Sequence, residues 1–157
     1  MKRIATTLVV LGLTAGAAIA EVAPTEVAYV DGAIAQSLSG VAGNADEGRN
    51  IITSKKLGNC VSCHAAEAYA DVPFAGDIGP ILDGVGSRWE EAEIRGIVAN
   101  AKMTFEGTMM PAFYKTNGYI RPGDAYTGKA AKGDLPPLLS AQQIEDVVAY
   151  LTTLKDE

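Results

Sequence analysis

The pentapeptide Cys60-Val61-Ser62-Cys63-His64 constrains this chain more than any other stretch of its 157 residues. Two thiols separated by two residues, with an imidazole directly after the second, are spaced for one covalently attached c-type haem. On a single helical turn both sulfurs face one edge of a porphyrin, where the two vinyl groups accept them. The next residue, His64, then sits under the iron as proximal ligand. Other uses of the same cysteines fit less well. Thioredoxin-like redox chemistry sets C-x-x-C in a βαβ pattern, and none is visible here. A structural zinc site wants four ligands, whereas the chain holds two cysteines and one histidine. A plain disulfide suits an oxidising compartment but gives the only histidine no reason to follow Cys63.

The N-terminus fits an exported protein. Met1-Lys2-Arg3, an apolar run from Ile4 to Ile19 and the Ala18-Ile19-Ala20 end read as a secretory leader, residues 1–20, cleaved after Ala20. A membrane anchor is the rival reading, but the run is short for a span and lacks a basic stop-transfer flank. Bacteria attach c-type haem outside the cytoplasm, so the expected location is the periplasm, with no membrane association after cleavage. Removing 20 residues leaves 137, which favours one domain. Losing Lys2 and Arg3 takes the formal net charge from −6 to −8. An acidic surface disfavours nucleic acid and suits charge-steered encounters with basic patches.

The mature chain divides into an N-terminal extension, residues 21–44, and a haem domain, residues 45–157. In the extension Val27, Val30, Ile34 and Leu38 recur at three- and four-residue steps, the period of a short amphipathic helix. That segment is either a strap on its own domain or a docking arm for a second subunit. A helix is expected over Ala45–Leu57, capped by Asn44 or Asp46. Gly48 inside it costs up to about 1 kcal/mol relative to alanine, which suggests that another helix crosses closely there. Residues 65–87 read as loop, and Trp89–Asn100 as a helix with Ile94, Ile97 and Val98 on its apolar face. A long polar connection follows over residues 114–139. The last helix, Ser140–Leu154, opens on a Ser140/Gln143 capping box. Ile144, Val147, Val148, Leu151 and Leu154 form its stripe, with Tyr150 and Leu151 placed to cover Gly48.

Four further residues are candidates for the haem site. The carbonyl of Pro80, in Gly79-Pro80, can accept a hydrogen bond from the second nitrogen of His64 and so orient the ring. An ordinary turn is the alternative. Arg88 and Trp89 carry N–H donors suited to a haem propionate, since a buried carboxylate needs paired donors. Read plainly, they are a surface arginine and a core tryptophan. In Gly107-Thr108-Met109-Met110-Pro111-Ala112-Phe113, Met110 is the favoured sixth ligand, ahead of Met109 and Met103. A thioether favours the reduced metal and raises the potential, and the following proline holds the backbone extended.

Taken together, the Gly48 helix, the Cys60–His64 motif, Gly79-Pro80, the Met-Pro loop and the terminal helix with Tyr150-Leu151 resemble a class I cytochrome c over residues 45–154. That resemblance implies an all-α fold around one covalent haem c, with the first and last helices crossing at the glycine and the Pro80 carbonyl on the proximal histidine. Gly86-Ser87-Arg88-Trp89, residues 95–102 (RGIVANAK), residues 107–114 (GTMMPAFY) and Ala35-Gln36-Ser37-Leu38-Ser39-Gly40 are similar to the SoxX family, the monohaem subunits of SoxAX cytochromes. This second resemblance implies a heterodimer with a SoxA-type dihaem or monohaem subunit. Such a complex, an L-cysteine S-thiosulfotransferase, joins thiosulfate oxidatively to a cysteine of the SoxYZ carrier complex. The family's substrate chemistry lies at a SoxA haem with a cysteine-derived ligand, and this chain has no third cysteine to supply one. Its implied role is therefore non-catalytic: it accepts electrons and passes them to a small soluble cytochrome c. A stand-alone periplasmic electron shuttle is the alternative. A third reading, a catalytic haem enzyme or thiol oxidoreductase, requires an open iron or free thiols.

Overall fold

The computed structural model describes residues 20–120, 122–123 and 128–156. All of the expected leader except Ala20 lies outside them. Among the described residues no helix is long and apolar enough to cross a membrane.

Among the described residues four α-helices carry the fold: α1 (Ala45–Thr53), α2 (Val85–Arg88), α3 (Glu91–Asn100) and α4 (Ala141–Leu151). Short 3₁₀ turns stand at Cys60–Ser62, Glu67–Tyr69 and Ala101–Met103. Asn44 caps α1, its side-chain oxygen accepting from the Asp46 and Glu47 amides. The helix ends four residues before Leu57, because Ser54 is extended and the chain folds back so that Gly58 N–H donates to the Ile51 carbonyl. Trp89, expected to open α3, is extended instead and terminates α2. The helix starts at Glu91 behind a Glu90/Glu93 capping box. In α4 the Ser140/Gln143 box forms as expected, but the helix stops at Leu151. There the Thr152 and Thr153 hydroxyls donate to the Ala149 and Tyr150 carbonyls, bonds that compete with continuing the helix.

The core lies where α1 crosses α4. At Gly48 a Cβ would strike the Asp146 carbonyl oxygen and the Tyr150 Cβ, so the glycine is what lets the two backbones meet. Ile51 and Ile52 from α1 pack with Ile144, Val147, Val148 and Leu151 from α4. Each such side chain, when fully buried, contributes about 1.5–3 kcal/mol. Asp146, also buried, accepts from the Asn44 amide through Oδ1 at 2.8 Å and so ties the start of α1 to α4.

The N-terminal extension does not form the expected helix. Asp31 and Gly32 both take positive φ (49° and 83°), and the resulting turn closes an isolated bridge between Val30 and Ala33. Ile34 and Leu38 are buried while Val30 is 71% exposed, so the apolar spacing does not form one helical face. Instead the segment runs as a strap over its own domain. The Ile34 amide donates to the Ala92 carbonyl, and the Leu38 amide to Glu145 Oε1 at 2.8 Å.

Candidate haem site

The Cys60–Ser62 turn displays the attachment motif. Asn59 enters it in the left-handed region (φ 51°), and its side-chain oxygen accepts from the Ser62 hydroxyl at 2.7 Å. The Cys63 and His64 amides both donate to the Cys60 carbonyl, at 3.0 and 2.9 Å, which winds the pentapeptide into a single turn. Both cysteine side chains are half-buried and not joined to each other. Burial pushes the Cys60 thiol up to about 11, the opposite of the lowered value that marks a redox-active or nucleophilic cysteine.

A second segment clamps the motif from the side. The Gly76 amide donates to the Val61 carbonyl (2.8 Å), Gly79 to Cys63 (2.7 Å) and Leu82 to Ala65 (2.9 Å). His64 Nδ1 lies 2.7 Å from the Pro80 carbonyl oxygen. A carbonyl can only accept, so Nδ1 carries the proton and Nε2 keeps its lone pair for a metal. At Gly79 a Cβ would overlap the His64 ring, so only glycine lets the segment pass at this distance.

Tyr69 went unnoticed in the sequence. Its ring is fully buried, and its hydroxyl donates to the His64 carbonyl at 3.0 Å. Burial holds the phenol well above its ordinary pKa, so it stays a donor. Nothing in the spacing of the 65–87 loop singles this tyrosine out, because its role depends on a contact back to His64.

The remaining candidates lie at the end of α2 and in the segment after α3. Arg88 is exposed and braces the segment after Pro80, donating through Nη1 to the Asp83 carbonyl (2.6 Å) and through Nη2 to Ile81 (3.2 Å). A guanidinium has five N–H donors, so others remain for a carboxylate. Trp89 is half-buried and meets Phe105 edge-on, ring centres 5.9 Å apart. Met110 is partly buried and, like Cys60 and Trp89, packs against the main core. By contrast Met109 is 79% exposed and Met103 50%.

This donor set fits a haem. It comprises two thiols on one turn, an imidazole with Nε2 free, and a thioether held against the core rather than in solvent. The flanks fit as well. Ile78 and Ile81, on either side of Gly79-Pro80, are more than half exposed, and Phe105 is also exposed. Exposed large apolar side chains beside a donor set mark a surface that an apolar partner covers, and a porphyrin face is such a partner.

Comparison with known proteins agrees. The chain matches the cytochrome c family over residues 45–155. It superposes on the crystal structure of SoxXA from P. pantotrophus with a TM-score of 0.84 and 62% sequence identity, covering 87% of this chain and 99% of the other. A search of curated proteins returned no match. The expected all-α cytochrome fold and single covalent haem c stand, as does the similarity to SoxX. The chain belongs to the cytochrome c family, within which it is a SoxX-type electron-transfer haem subunit.

Proposed function

We propose that this chain is the electron-accepting subunit of a periplasmic SoxAX-type complex, paired with a SoxA-type subunit. The observation that carries the reading is the 62% identity to a SoxXA structure over nearly the whole of the matched chain. In the proposed reaction the terminal sulfur of thiosulfate bonds to a cysteine sulfur of a SoxYZ-type carrier. The thiol proton is released and two electrons leave. This single-haem chain would take them one at a time, and a small soluble cytochrome c would receive them.

Haem supplies a one-electron carrier. The chain's own residues determine how it is held. Cys60 and Cys63 would form the thioether links and His64 Nε2 would ligate the metal, while the Pro80 carbonyl and Tyr69 hydroxyl hold the His64 ring and its backbone. Met110, held against the core, would supply the thioether ligand, and Arg88 and Trp89 would supply donors to the haem carboxylates. A haem held by both His64 and Met110 would change its surroundings little between oxidation states, which suits electron transfer rather than substrate coordination.

The ligand assignment is tested by two single substitutions. In Met110→Leu the thioether-to-iron absorption band of the oxidised protein is expected to vanish and the midpoint potential to fall. Met109→Leu should leave both unchanged. The reverse pattern would move the assignment to Met109. Purification from native periplasm tests the partner: co-elution with a SoxA-type subunit is expected, whereas a lone monomer would favour the shuttle.

A further inference from the structure

The loop that presents Met110 starts and ends on the same turn of structure. At its start the Phe105 amide donates to the Ala101 carbonyl (2.8 Å), and at its end Tyr114 donates to Ala99 (3.0 Å). Lys102, on the 3₁₀ turn that continues α3, reaches across the opening between them. Its ammonium donates to the Met110 carbonyl at 2.5 Å. On the other side of the same residue the Met110 amide donates to Thr108 Oγ1 at 3.3 Å. Pro111 has a fixed φ and no N–H, so the Met110 carbonyl is the one hydrogen-bonding group of the Met110–Pro111 peptide.

We propose that Lys102 is a positioning residue for the sixth ligand. It fixes the Met110 backbone so that the thioether stays turned toward the core, and it limits the fraction of time the loop opens to other ligands. The proposal rests on Met110 being that ligand. Lys102 itself touches no reacting atom. A charged donor on a carbonyl is a stronger bond than a neutral one, but the side chain is exposed and water competes for it. The expected effect is therefore modest.

The test is imidazole binding to the haem-loaded, oxidised full-length protein, since imidazole enters only when the sulfur leaves. Lys102→Met keeps the aliphatic stem and removes the donor; it is expected to tighten imidazole binding about three- to tenfold. Lys102→Arg keeps a charged donor and should bind as the unsubstituted protein does. The thermal midpoint of the helical signal should stay unchanged in both. Imidazole affinity unaltered in Lys102→Met, or raised equally in Lys102→Arg, overturns the proposal while leaving Met110 as ligand. If the unsubstituted oxidised protein shows no thioether band, the Met110 assignment fails and the proposal falls with it.

Discussion

Arg95→Met is expected to destabilise the folded protein by about 3–5 kcal/mol, the usual cost of removing one partner from a buried ion pair. The Arg95 and Glu145 side chains are 4% and 5% exposed, and Nε of Arg95 lies 2.9 Å from Glu145 Oε1. The guanidinium also bonds Glu91 and donates through Nη1 to the Ile34 carbonyl at 3.0 Å. Burial alone would lower its pKa, yet the bonds to Glu145 and Glu91 outweigh this and raise it, so the pair stays charged. The methionine variant leaves the Glu145 carboxylate buried with the Leu38 amide as its remaining partner from the strap. Urea unfolding of the haem-loaded protein measures the loss. Replacing both residues by methionine should recover much of it, because no uncompensated charge is then buried. An Arg95→Met midpoint equal to that of the unsubstituted protein would mean that this pair does not hold the strap to α3 and α4.

Gly79→Ala is expected to act on the haem rather than on the fold at large. The added methyl would overlap the His64 ring. The segment cannot simply move away, since the Gly79 amide is bonded to the Cys63 carbonyl and the Pro80 carbonyl to His64 Nδ1, both at 2.7 Å. Overpacking of this kind costs about 1–3 kcal/mol, and here the imidazole is the group in contact. The expected result is a partial shift of the oxidised spectrum to high spin and a lowered yield of haem-loaded protein. A low-spin spectrum and normal yield would show that the clamp has slack.

Much of the fold was legible because the signals were local. The C-x-x-C-H spacing, the Ser140/Gln143 box and the apolar stripe of α4 each lie within one element. The crossing at Gly48 could be inferred because an interior glycine needs a packing reason, and Tyr150 does lie against it. The extension misled for a physical reason. Val27, Val30, Ile34 and Leu38 match a helical period, but the turn at Asp31-Gly32 breaks the backbone between them. Arg95 and Glu145 sit in helices that read as ordinary amphipathic ones. Their pairing needs 50 residues of separation to be closed by the fold. The contacts of Tyr69 with His64 and Lys102 with Met110 run from side chain to backbone between elements, and such contacts leave no period in a sequence.

The most direct test of the central claim is the mass and visible spectrum of the mature protein, exported by a host that attaches haem c. The account predicts a mass one haem above that of the polypeptide, retained after acid–acetone extraction, with a Soret band. It also predicts that Cys60→Ala with Cys63→Ala abolishes both. A mature protein with the mass of its amino acids alone and no Soret absorption would contradict it.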